Sequence, residues 1–142
     1  MSMNNLDTLY RQVIMDHYKN PRNKGAIDGD TLTVDMNNPT CGDRIELHLQ
    51  LEGEIVKDVK FEGEGCSISM SSASMMTQAI KGKKLDDALN MSKVFSNMMI
   101  GEDVDTEELE DIAALQGVSK FPARIKCATL AWKAMEKGVH EE

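Results

Sequence analysis

Cys41, Cys66 and Cys127 stand as isolated singles, each in a setting that favours the thiolate. Cys41 lies in the turn-forming run Pro39-Thr40-Cys41-Gly42-Asp43, with a carboxylate two residues on. Cys66 follows Gly63-Glu64-Gly65 and opens a serine-rich helical stretch, where helix-terminal N–H groups stabilise negative charge. Cys127 follows Arg124 and Lys126, whose cations act in the same direction. Three thiolates with the Asp43 carboxylate make a four-ligand set of the kind that zinc binds tetrahedrally. No Cys-x-x-Cys pair is present, so neither a zinc ribbon nor a thioredoxin-type redox motif is available. Such a site has to be assembled by the fold from three distant segments.

The elements that would assemble it are legible in the apolar periodicity. Leu6, Leu9, Tyr10, Val13, Ile14, His17 and Tyr18 follow helical spacing, and Asn20-Pro21 stops the helix. Residues 21–25 read as a turn. Three strands follow. Residues 31–36 are β-branched and alternating. Ile45, Leu47, Leu49 and Leu51 alternate with Glu46, His48 and Gln50. After a turn at Glu52-Gly53-Glu54, residues 55–62 return with Val59 and Phe61 opposed to Lys60 and Glu62. The spacing then predicts helices. One is capped by Ser67 and ends near Gly82, and a second covers 85–99. A short one opens on the capping-box pair Asp105 and Glu108 and runs through Leu115. The last starts at Pro122 and ends at Gly138. Strands followed by helices predict an α+β fold, a three-stranded antiparallel meander with one face covered by the N-terminal helix and the C-terminal helical half. Residues 1–142 read as a single domain, with Cys41 between the first two strands, Cys66 at the sheet–helix junction and Cys127 in the last helix.

Totals narrow the function class. A net charge of −8 argues against nucleic acid, which requires a basic face. No apolar run approaches a membrane span, and the opening Met1-Ser2-Met3-Asn4-Asn5 lacks the charged start of a signal peptide. An odd number of cysteines without a signal points to the reducing cytoplasm and to thiols rather than a disulfide. Seven of the ten residues 102–111 are acidic; a solvated helix face and a patch for a basic partner both account for them.

Packing is the competing reading for each reactive residue. A cysteine alone is often a small buried hydrophobe, and Cys127, near Leu130, Ala131 and Ala134, suits that role. Cys41 and Cys66 suit it less, being bracketed by glycine, proline and polar residues. His17 falls on the apolar face of the first helix, His48 on the wet face of its strand, and His140 in a charged tail. Met70, Met75, Met76, Met98 and Met99 sit on helices, where core filling explains them.

Four blocks are more specific: Asp16-His17-Tyr18-Lys19-Asn20-Pro21-Arg22-Asn23, Asn38-Pro39-Thr40-Cys41-Gly42-Asp43, Gly63-Glu64-Gly65-Cys66-Ser67-Ile68-Ser69 and Phe121-Pro122-Ala123-Arg124-Ile125-Lys126-Cys127. Through them the chain resembles the U-type (IscU-like) iron–sulfur cluster assembly proteins, and within them the SufU-type, zinc-dependent sulfurtransferase branch. The resemblance implies metal ligands at Cys41, Asp43, Cys66 and Cys127, with Cys41 as sulfur acceptor, Asp43 as the labile ligand and Arg124 in docking. It implies Zn²⁺ as cofactor, with iron or an iron–sulfur cluster as a transient occupant. The implied partners are a SufS-type cysteine desulfurase and downstream iron–sulfur assembly proteins. Scaffold-branch relatives carry a histidine before the third cysteine; here Lys126 stands there, and the interval from Cys66 to Cys127 is longer. A scaffold for a [2Fe–2S] cluster on the same ligands is the alternative, and a structural zinc-binding interaction module the third.

Overall fold

The computed structural model describes residues 2–27, 29, 31–38, 42–102, 104 and 109–141, with side chains for those between 11 and 139 other than 110 and 111. Its elements are helix α1 (Ser2–Lys19), strands β1 (Leu32–Asn38), β2 (Asp43–Glu52) and β3 (Ile55–Glu64), helices α2 (Ser67–Ile80) and α3 (Leu85–Met99), a 3₁₀ helix (Glu110–Lys120) and α4 (Pro122–Glu141). The strands form an antiparallel sheet in the order β1-β2-β3, the expected meander in an α+β fold. Its inner face carries Val34, Ile45, Leu47, Leu49, Val59 and Phe61, all buried. Helix α4 packs on β1 and β2, α2 packs on β3, and α1 lies against α2 and the 3₁₀ helix. The outer edge of β3 is closed by two short pieces of chain. Gly25 donates to the Phe61 carbonyl at 2.8 Å and Phe61 to that of Asn23 at 3.0 Å, while Val56 and Gly82 bond across the α2–α3 turn. An edge closed in this way is not a template for another strand.

Helix ends at Lys19, Ile80 and Met99 fall where proline and glycine place them. Three expectations are corrected. Cys66, not Ser67, stands at the N-cap of α2, in extended conformation (φ −72°, ψ 169°), and Ser67 is the first helical residue. The fold fixes that entry through the Cys66 N–H, which is held by Asp43 rather than left for the helix. The helix expected to end at Leu115 is a 3₁₀ helix that continues to Lys120. Its large buried side chains, from Leu109 at the N-cap through Ile112, Leu115 and Val118, recur every three positions, the 3₁₀ rather than the α period. The capping-box pair Asp105 and Glu108 lies outside the described residues, as do the side chains of Leu6, Leu9, Tyr10 and His140.

Gly138 does not end α4, which runs through it to Glu141. Its role is close approach: a Cβ there would lie 2.8 Å from Val34 Cγ2, 3.2 Å from Leu49 Cδ1 and 3.3 Å from Leu32 Cδ2. Helix and sheet touch at this point with no room for a methyl group. In an open helix Gly→Ala stabilises by about 1 kcal/mol, whereas overpacking a closed core costs about 1–3 kcal/mol. With Val34 3% exposed and unable to swing away, overpacking dominates. Gly138→Ala is therefore expected to destabilise by about 1 kcal/mol, against the helix propensity scale, as read by urea denaturation.

The methionines of the helical half fill the core as expected: Met75, Met76, Met98 and Met99 are each at most 1% exposed. His17 is buried on its helix, with Nδ1 2.8 Å from Ser74 Oγ. Ser74 Oγ also accepts the Arg22 N–H at 2.8 Å, which ties the turn after α1 to α2. No helix among the described residues is long and apolar enough to cross a membrane.

Candidate metal centre

Asp43, Cys66 and Cys127, contributed by the start of β2, the N-cap of α2 and the second turn of α4, meet at one end of the sheet. One carboxylate oxygen and the two sulfurs all lie within 4.8 Å of one another. Cys41 lies outside the described residues, two positions before Asp43 in the connection from β1 to β2. In that connection Gly42 takes φ +73° and donates its N–H to the Asn38 carbonyl at 2.8 Å, a left-handed turn that glycine adopts without strain. The turn sets Asp43 opposite Asn38 in the β1–β2 register.

The Asp43 side chain is 1% exposed, and a buried carboxylate is costly unless it is paired. Oδ1 accepts the Cys66 backbone N–H at 3.0 Å, while Oδ2 lies 3.9 Å from Cys66 Sγ. Ser69 Oγ donates to the Cys66 carbonyl at 3.1 Å and stands 3.8 Å from the same sulfur. Gly65 makes this approach possible. A Cβ there would sit 2.7 Å from Asp43 Oδ1, 3.1 Å from its Cγ, and against Ser69 Oγ. Sequence reading passed over Gly65 and Ser69; the adjacency of Gly65 to Cys66 was the available signal.

Cys127 is fully buried, and the helix that carries it is fixed to α2 by a polar clasp. Ser72 Oγ donates to the Ala128 carbonyl at 2.6 Å and accepts the Trp132 indole N–H at 3.1 Å. Trp132 in turn stacks on Phe95 with ring centroids 5.0 Å apart. Ser72 lies six residues along from Cys66, so this clasp ties the helix that carries Cys127 to the one that Cys66 caps. Both cysteines carry thiols rather than a disulfide.

The guanidinium of exposed Arg124 is held above its ordinary range, first by the charge of Cys66 and then by a hydrogen bond to Cys127. Two sulfurs that attract the Arg124 cation, with a buried carboxylate beside them, are a donor set suited to a thiophilic divalent metal. Gly65 leaves the room that the carboxylate needs. The residues therefore fit zinc.

The profile of the NifU-like N-terminal domain matches residues 9–128. Among curated proteins, the zinc-dependent sulfurtransferase SufU of Bacillus subtilis (strain 168) is 73% identical over 144 residues, covering 100% of this chain and 97% of that protein. The iron–sulfur cluster assembly scaffold protein IscU of Streptococcus pyogenes serotype M1 is 43% identical over 140 residues, covering 98% of this chain and 87% of that protein. Among solved structures, a candidate iron–sulfur cluster assembly scaffold of the SUF system from Fervidobacterium islandicum AW-1 superposes with a TM-score of 0.86. It is 37% identical and covers 90% of this chain and 94% of that one.

Proposed function

The chain belongs to the NifU-like N-terminal domain family, and from that premise we propose that it is a zinc-dependent sulfurtransferase of iron–sulfur cluster assembly. It takes persulfide sulfur from a cysteine desulfurase of the SufS type and passes it to downstream assembly proteins, acting as one domain in the cytoplasm. The observation that carries this reading is the convergence of Asp43, Cys66 and Cys127, with Cys41 two positions away in the chain.

Cys41, Asp43, Cys66 and Cys127 would hold the metal. Zinc bound there keeps thiolates ionised at neutral pH and has no redox chemistry of its own with which to oxidise them. The remaining chemistry belongs to the side chains. The Cys41 thiolate attacks the outer sulfur of the desulfurase persulfide. The persulfide S–S bond breaks, the desulfurase cysteine leaves as thiolate, and Cys41 becomes the persulfide. One S–S bond forms as another is lost, so no external oxidant or reductant is needed. Asp43, a harder oxygen donor beside two sulfurs, is the ligand most readily exchanged. Arg124, exposed at the rim and held at the two sulfurs, orients the approaching anionic persulfide.

The related scaffold function, assembly of a [2Fe–2S] cluster on the same ligands, is favoured by the likeness to IscU and disfavoured by Lys126 in place of histidine. Metal analysis separates the two. The purified chain is expected to be colourless and to hold about one zinc, as a single four-ligand site implies. It is also expected to gain labelled sulfur from cysteine in the presence of the desulfurase. A brown protein with iron and sulfide stoichiometric to chain would establish the scaffold instead. A zinc-bound protein that never takes up sulfur would reduce the site to a structural module.

A further inference from the structure

The outer face of the sheet carries a second group of metal-ligating side chains. Along β2 the odd-numbered residues Ile45, Leu47 and Leu49 point into the core, so Glu46 and His48 point to the opposite face. There Glu46 is the direct cross-strand partner of Glu62 on β3. One ligand atom each from Glu46, His48 and Glu62 lies within 4.8 Å of the others. His48 had been expected to be wet. It is on the expected face but only 7% exposed, because β2 is the central strand and the cross-strand neighbours Thr33 and Lys60 flank it.

We propose that Glu46, His48 and Glu62 form a second divalent transition-metal site, separate from the cysteine centre on the other face of the same strand. Three observations support it. Like charges placed directly opposite across a strand pair destabilise a sheet, and Glu46 and Glu62 are so placed. Arg44 stands 4.0 Å from Glu46 but is held more closely, at 3.3 Å, by Asp35. A cation between the two carboxylates turns that repulsion into binding. Second, the imidazole is oriented as a ligand. Nδ1 lies 3.2 Å from the Thr33 hydroxyl, which can accept its proton and leave the Nε2 lone pair directed at Glu62. Third, Nε2 and Glu62 Oε2 are 3.4 Å apart, long for a charge-assisted hydrogen bond. That spacing matches the about 3.3 Å between two ligand atoms each 2.0–2.1 Å from a tetrahedral zinc. One imidazole nitrogen with two carboxylate oxygens is a harder donor set than the cysteine centre. It suits zinc and its first-row neighbours, which take imidazole and carboxylate as well as thiolate. Glu62 and Glu46 are 47% and 32% exposed, which leaves an entry path.

The probe is Zn²⁺ added to the full chain already holding its first zinc, with bound metal measured by equilibrium dialysis and the His48 ring followed by NMR. A second equivalent at micromolar free zinc, with a shift of the His48 Nε2 resonance, is expected. Glu62→Gln, isosteric and at the exposed rim, and His48→Gln should weaken it more than about tenfold, and Thr33→Val by about tenfold through loss of ring orientation. All variants should keep the first zinc and the wild-type fold, read by circular dichroism without the second metal. Uptake of no second equivalent by the wild type would leave His48 and Glu62 a simple hydrogen-bonded pair and overturn the site. Unchanged second-zinc affinity in both Glu62→Gln and His48→Gln would overturn it equally.

Discussion

Cys127→Ser is expected to strip the chain of zinc and to lower its unfolding free energy by about 4 kcal/mol or more at free zinc a thousandfold above the dissociation constant. The effect is large because the ligands come from β2, α2 and α4, so the folded state alone brings them together and the metal's affinity becomes folding stability. Serine keeps the size of the side chain but presents a hydroxyl that does not ionise at neutral pH. In a fully buried position that hydroxyl adds a further cost of about 1–3 kcal/mol if it finds no partner. Two thermal melts separate metal loss from packing. Chelation should bring the wild type down towards the variant, whereas Zn²⁺ kept below the micromolar level that fills the outer-face site should leave the variant unmoved. Cys66→Ser should behave alike, with a smaller packing cost because Cys66 is only half-buried. A Cys127→Ser protein that retained its zinc and its melting temperature would remove Cys127 from the ligand set.

The parts of this molecule that sequence reading reaches are those written in local periodicity. Alternation in residues 45–51 placed β2, and glycine and proline placed the ends of α1, α2 and α3. The arrangement of three strands before the helical half was enough to bring the sheet–helix junction and the last helix to one end, where Cys66 and Cys127 meet Asp43. What stayed illegible depends on partners distant in sequence. Gly138 looks like a helix stop until Val34 and Leu49 are seen pressed against it. Gly65 looks like a turn residue until the Asp43 carboxylate occupies the space of its missing Cβ. Alternation put His48 on the correct face, but only the register with Thr33 and Lys60 shows that the face is covered there. The three-residue recurrence of Leu109, Ile112, Leu115 and Val118 was present in the sequence; reading it with an α-helical template hid the 3₁₀ helix.

Cys41→Ala is expected to abolish sulfur uptake from the desulfurase while leaving the fold largely intact. Cys41 lies in the connection between β1 and β2, and water can take a vacated ligand position, so stability should fall far less than for Cys127→Ser, which changes a fully buried residue. The attacking thiolate, however, has no substitute: persulfide transfer is a direct displacement at sulfur, and alanine has nothing to offer it. Asp43→Ala separates the two duties of the neighbouring carboxylate. It keeps all three thiolates, and so should keep zinc and desulfurase binding, but it removes the exchangeable oxygen. It also leaves the Cys66 N–H without its 3.0 Å acceptor, at a cost of about 1–3 kcal/mol. If exchange at Asp43 opens the site to the incoming sulfur, this variant should load slowly despite holding its metal. Zinc content, desulfurase binding and labelled persulfide measured on each variant give the answer. Full loading of Cys41→Ala, on Cys66 or Cys127, would displace Cys41 as acceptor. Wild-type turnover by Asp43→Ala would confine the carboxylate to holding the N-cap of α2, because its bond to the Cys66 N–H would then be the whole of its contribution.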